Sequence, residues 1–156
     1  MRNLIEGFGR KFDRIDSETR GLLGQIPADR IFSNVGTVEL PYMSVGTCLL
    51  RSAAAVEQTF GGITTRLWDD PFEWTLPEKL STRELILEYL DEVAETRLHG
   101  LAFLASDDDL SRELPAPEKL TSIFDLLLET VATADLYLGR ASSIYQLLTG
   151  EKVRRR

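Results

Sequence analysis

Few side chains in this sequence have the reactivity for covalent or metal chemistry. There is one cysteine, Cys48, and one histidine, His99. A catalytic thiolate needs a neighbouring cation to lower its pKa, and no Lys or His lies within a turn of Cys48. On the apolar side of its segment it reads as a small buried thiol. His99 follows Glu95 by four residues, the spacing of a solvated pair on one helix face. A single histidine cannot supply a His-rich metal site, the Glu-x-x-His pair of di-iron bundles or the two-His arm of a zincin. The run Asp107-Asp108-Asp109 has the charge of a calcium loop but lacks the alternating ligands, central Gly and distal Glu, so it reads as a solvated turn ending a helix. Glu57, Arg51, Arg97, Asp135 and Arg140 remain as charged candidates that must be paired or face a wet cavity. Asp135 and Arg140 are too far round a helix to pair simply, so each requires a partner on another helix.

The elements that would position these groups follow from composition and spacing. The chain has 156 residues, 43% of them hydrophobic and 28% charged. That is enough for one domain with a sizeable core and no need of disulfides or a structural metal. Its net charge of −7 repels a phosphate backbone, so nucleic acid is not an expected partner. The exception is the basic tail, residues 151–156, which reads as a solubilising terminus. No window approaches the ~20 apolar residues of a membrane span, and the first residues lack the apolar run of a signal peptide; a cytoplasmic protein without membrane contact is the expectation.

All six prolines fall between long segments and leave four proline-free blocks. The first, Asn3 to Ile26, carries Ile15, Leu22, Leu23 and Ile26 at helical spacing, with a weaker first half that holds Gly7 and Gly9. The second starts at Ser44 as N-cap and runs to about Trp68, with Val45, Cys48, Leu49, Ala53, Val56, Phe60, Ile63 and Leu67 along one side and a weak point at Gly61-Gly62. The third opens with the capping-box pattern Ser81-Thr82-Arg83-Glu84, carries Leu85, Ile86, Tyr89, Leu90, Val93, Ala94, Leu101 and Leu104 as its stripe, and ends before Ser106. The fourth begins near Thr121-Ser122, runs through Leu126, Leu127, Leu128, Val131, Leu138, Ile144 and Leu148, and stops at Gly150 as C-cap. No block alternates with period two, so no strand is expected.

The spacing therefore predicts an all-α fold, a four-helix bundle over residues 1–150. The link from Asp69 to Leu80, about twelve residues able to extend roughly 40 Å, is long enough to run the whole bundle and let the second and third helices lie parallel. Its Phe72, Trp74 and Leu76 favour a segment laid against the bundle.

One ordered set of segments is familiar: Leu22–Pro27 ending the first helix, Ser44–Glu57 (Ser-Val-Gly-Thr-Cys-Leu-Leu-Arg-Ser-Ala-Ala-Ala-Val-Glu), an aromatic crossover, and Tyr137–Ala141 (Tyr-Leu-Gly-Arg-Ala). Over residues 15–150 it resembles the DinB/YfiT-like superfamily. That resemblance implies an up-down-down-up bundle with a long crossover between helices two and three, and a homodimer paired through helix faces. It also implies a three-histidine metal site, with one ligand on helix two and two on helix four. The matching positions are Ser52 (or Arg51, one residue earlier), Thr133 and Tyr137, and none is histidine. Neutral hydroxyls are poor ligands for such metals. Neither a metal cofactor nor the family's metal-assisted thiol transfer is therefore expected here.

The resulting expectation is a non-catalytic binding or dimeric scaffold module. Its remnant pocket would be lined by Ser52, Thr133 and Tyr137, with Glu57 and Arg140 nearby, and would take a small polar ligand. The alternative is a small-molecule transferase or hydrolase in which Tyr137 is the general acid and Glu57 or Asp135 the base or a ligand. A third reading is a protein–protein adaptor with an exposed apolar helix face.

Overall fold

The computed structural model describes residues 1–38, 43–71 and 75–154. Four long helices carry it: α1 (Asn3–Gln25), α2 (Val45–Thr65), α3 (Arg83–Phe103) and α4 (Ile123–Thr149). Between α3 and α4 lies a short antiparallel hairpin of β1 (Glu113–Pro115) and β2 (Leu120–Ser122), with Leu114 opposite Thr121. The hairpin corrects the expectation of no strand; three-residue strands are too short to leave a period-two pattern. Phe72 and Trp74 of the crossover, and Arg155 and Arg156 of the basic tail, lie outside the described residues. Among the described residues no helix is long and apolar enough to cross a membrane.

Local chemistry sets most helix ends. The Ser44 hydroxyl accepts from the Thr47 amide at 3.1 Å to start α2, and Ser122 accepts from the Asp125 amide at 3.1 Å to start α4. Thr82 rather than Ser81 caps α3, accepting from the Leu85 amide at 3.2 Å; two adjacent hydroxyl residues left the register open by one. Gly150 closes α4 with a φ of 71°. That conformation costs a residue without Cβ little. The Gly61-Gly62 pair does not loosen α2, which is continuous to Thr65. Gly62 instead gives room to the Trp68 ring, which a Cβ there would meet at 2.4 Å.

The first half of α1 is helical despite Gly7 and Gly9, and the acidic run explains why. Asp107 accepts from the Leu4 and Ile5 amides, each at 3.1 Å, and satisfies donors that a helix start otherwise leaves unpaired. Arg2 reaches back to carbonyls at the end of α3, including Leu101 at 3.3 Å. Residues Asp107–Ser111 form a 3₁₀ turn whose own start is a capping box between Ser106 and Asp109. The triple-Asp segment is thus a cap for α1 as well as the solvated turn expected at the end of the third block.

Contacts between helices fix their relative sense. From α1 to α4 they advance together: Phe8 meets Phe124 edge-on at 5.6 Å, Arg14 pairs with Asp135, and Gln25 bonds the chain just beyond α4 at Arg154. From α1 to α3 they run oppositely, with Asp13 on Arg97, Arg20 on Asp91 and the Leu23 carbonyl on Arg83. From α2 to α4 they are also opposed, with Ser52 on Ala134 and Thr59 on Thr130. The α1–α2 diagonal is filled by the edge-to-face pair Phe12 and Phe60, 5.2 Å between centroids.

Desolvation opposes ionisation of Asp107. The Leu4 and Ile5 amides, aided by the N-terminal amino group and Arg2, outweigh it and hold the carboxyl below its ordinary value. A carboxylate depressed in the folded state adds stability at neutral pH that is lost as pH falls through its folded value. Asp107→Ala is expected to lower the melting temperature at neutral pH, to lose that deficit in acid, and to speed amide exchange at Leu4 and Ile5. Thermal scans across acid pH with hydrogen-exchange mass spectrometry check this.

Candidate functional site

The resemblance placed Ser52, Thr133 and Tyr137 at one site, with Glu57 and Arg140 beside it. The structure turns these side chains to different surroundings. Ser52 is fully buried on α2 and donates to the Ala134 carbonyl of α4 at 2.9 Å. It borders a void of about 20 Å³, together with Thr19, Val56, Leu90 and Arg97. Such a space has the size of a single water. Thr133 faces another side of α4 and lines a hollow of about 250 Å³ with Thr59, Trp68, Pro117 and Glu129. Tyr137 is half-buried, and the Arg140 guanidinium stacks over it, 5.3 Å from the ring centroid. Arg140 itself is exposed on the outward face of α4.

Glu57 is engaged on the other flank of α2. Its carboxylate accepts from the Tyr89 hydroxyl of α3. Burial pushes the carboxyl above its ordinary range; the Tyr89 bond works against that, and Glu92 adds to it. Burial and the Glu57 carboxylate push the Tyr89 hydroxyl upward in turn, so it stays a donor. The pair is a neutral donor on a partly buried acceptor. Sequence reading assigned Tyr89 to the core stripe alone, and nothing in its spacing pointed to Glu57.

The remaining candidates have structural partners. Asp135 does reach another helix, pairing with Arg14 at 3.4 Å, whereas Arg140 stacks on its own helix. Arg97 is buried along its whole length, guanidinium included, and donates to the largely exposed Asp13 at 2.6 Å. Cys48 is buried, and burial raises its thiol although Arg140 and Arg51 pull the other way, the setting of a packed thiol rather than of an activated one. Arg51, the alternative first-ligand position, is half-buried beside it. His99 is exposed on α3. Among the described residues no group of three His, Cys, Asp or Glu side chains is disposed to hold a metal ion.

Sequence reasoning put Leu128 in the apolar stripe of the fourth helix and did not single out Leu136 or Leu147; the structure turns all three to the outer side of α4. Leu128, Leu136 and Leu147 are 52%, 60% and 75% exposed, far more than a bundle helix needs. Between them Ala132, Gly139 and Ser143 leave a shallow hollow, also bordered by Val131, Asp135 and Arg140. The signal was present in the sequence, since these residues recur at helical spacing opposite the core stripe.

An acid raised by folding gives stability that is present below its unfolded value and lost as pH rises through its folded value. Glu57→Gln keeps an acceptor for Tyr89 and removes the partly buried charge. The variant is expected to melt higher than the parent at neutral pH, with the difference closing in acid, as thermal scans at several pH values would show. No family model matches the chain, and no curated protein or solved structure does either.

Proposed function

We propose that this protein is a DinB-like helical bundle that serves as a dimeric scaffold or binding module without turnover. Support for the family reading comes from the helix senses, in which α1 and α4 run one way and α2 and α3 the other, an up-down-down-up course. The non-catalytic reading is supported by the dispersal of the candidate residues: Ser52, Glu57, Thr133 and Tyr137 each have a separate partner or hollow. That dispersal also weighs against a single small-ligand pocket and against Tyr137 and Glu57 acting together as acid and base.

The observation that carries the dimer is the outward face of α4. Its large and small residues alternate, and its charges are unevenly placed, with Glu129 in the first half and Arg140 in the second. These two are three turns apart and so lie along the same edge of the face. In an antiparallel two-fold pair like edges meet, so an axis near residues 134–135 sets Glu129 of one copy opposite Arg140 of the other. The same axis drops Leu128 between Gly139 and Ser143 of the second copy and sets Leu136 beside Ala132. An isologous interface requires this kind of self-complementarity. It also gives a reason for Gly139. A mid-helix Gly costs about 1 kcal/mol relative to Ala, and a Cβ at Gly139 would meet nothing within the chain.

Burying a leucine contributes about 1.5–3 kcal/mol, and less where it starts half-covered. Three from each copy must offset an association cost of about 4–15 kcal/mol, which sets a modest, concentration-dependent dimer. Sedimentation velocity should show a dimer that Leu136→Glu converts to monomer with unchanged helicity. Glu129→Arg and Arg140→Glu should each weaken it several-fold, and the double variant should restore it; a double variant as weak as either single one would remove this axis. Elemental analysis of the purified protein is expected to find well under one transition-metal ion per chain, and a stoichiometric metal would overturn the non-catalytic reading.

A further inference from the structure

Beyond Gly150 the chain does not leave the bundle. Residues 151–154 fold back over the seam between α1 and α4, where Val153 packs half-buried against the core. The next residue is held by its backbone. The Arg154 amide donates to Gln25 Oε1 at 2.8 Å, and Gln25 Nε2 donates to the Arg154 carbonyl at 3.1 Å. One side-chain amide thus takes both backbone groups of a single residue, as a neighbouring strand would. The Lys152 and Arg154 side chains remain exposed, so Val153 is the apolar anchor of this stretch.

The surface beside this segment is open. Ser17, Gly21 and Gly24 succeed one another along α1 and put no bulky side chain there. A Cβ at Gly21 or Gly24 would meet nothing within 4 Å, neither the bundle nor the folded-back segment, so these glycines leave space beside the segment although glycine weakens a helix interior. Open hollows adjoin the folded-back segment, about 570 Å³ beside Arg20 and Tyr145 and about 260 Å³ beside Leu138 and Gln146. The groove is therefore larger than the segment lying in it. Glu18, whose ion pair is with Arg14 of its own helix at 3.9 Å, lines the smaller hollow together with Lys152 and Arg154.

We propose that the α1–α4 groove is a receptor for an extended peptide with a valine between two basic residues, and that Lys152-Val153-Arg154 is its resident occupant. Gln25 reads the backbone of the residue after the valine, the seam takes the valine, and Glu18 favours positive flanks. This is the division of labour of other extended-peptide sites, with main-chain bonds for affinity and side-chain positions for specificity. The resident segment is held by two hydrogen bonds and one half-buried side chain, few enough for a competing peptide to displace it.

The test uses the full chain carrying Val153→Asp, which removes the anchor of the resident segment and leaves α1 and α4 intact. The probe is a fluorescein-labelled peptide, Gly-Glu-Lys-Val-Arg amide, followed by anisotropy. The variant is expected to bind it at least tenfold more tightly than the parent chain does, and to lose about tenfold when Gln25→Ala is added. The same peptide with Asp for Val should bind at least tenfold more weakly. Equal binding by parent and variant, equal binding of the two peptides, or indifference to Gln25→Ala would overturn the proposal. An independent check is hydrogen exchange in the parent chain: the Arg154 amide should be protected and should lose protection in Gln25→Ala, and an unprotected Arg154 amide would overturn it as well.

Discussion

The structure depends on the near-complete burial of the first half of α2. From Val45 to Leu50 every residue is buried, and Ser52, Ala53, Ala54 and Val56 follow. A helix with so little solvent face must satisfy its polar side chains inside the protein, because a buried unpaired hydroxyl costs about 1–3 kcal/mol. Ser44 and Thr47 bond each other at 2.9 Å, and Ser52 bonds the Ala134 carbonyl. Thr59 meets Thr130 at 2.6 Å, while Thr130 donates to the Leu126 carbonyl at 2.7 Å. These bonds set the register of α2 on α4. They also commit the hydroxyls that a ligand site would need.

Charge plays a different part. Ion pairs lie along the seams at the surface, as with Arg14 and Asp135 or Arg20 with Asp16 and Asp91. Exposed pairs of this kind contribute about 0.2–1 kcal/mol, less than the burial of one leucine. Their effect is alignment more than stability, since they join α1 to both of its neighbours and would be mismatched in another register. At the end of the bundle Arg2 and Asp107 do the same job with backbone groups, tying the start of α1 to the end of α3 and the turn beyond it.

The four helices were legible because apolar residues recur in them at helical spacing, because α1 ends before Pro27 and α4 at Gly150, and because Ser44, Ser122 and Gly150 cap by local rules that need no tertiary knowledge; α2 and α3 stop at Arg66 and Leu104, where the sequence carries no such signal. What escaped depends on distant partners. Asp107 looks like part of a solvated turn until Leu4 and Ile5 are brought to it. Glu57 looks like a candidate base until Tyr89 is seen to donate to it from another helix. The β1–β2 hairpin is too short to leave a period. For the candidate site, helical spacing alone could not say that Ser52 bonds the Ala134 carbonyl, that Thr133 lines a hollow with Thr59 and Trp68, or that Tyr137 lies under the Arg140 guanidinium.

Among the described residues no buried side-chain nitrogen or oxygen lacks a hydrogen-bond partner. Buried active sites commonly keep polar groups under-satisfied, since reacting atoms must displace or complete those bonds. Here the interior is finished, and the positions that break local rules lie outside it. Leu128, Leu136 and Leu147 face outward from α4, Gly139 sits where alanine would make a better helix, and Gly21 and Gly24 line the open space beside a segment gripped by its backbone. A folded chain departs from local consistency where something other than folding requires it. For this bundle those departures lie on the outer side of α4 and in the α1–α4 seam, the two surfaces on which the proposed dimer and the proposed peptide site rest.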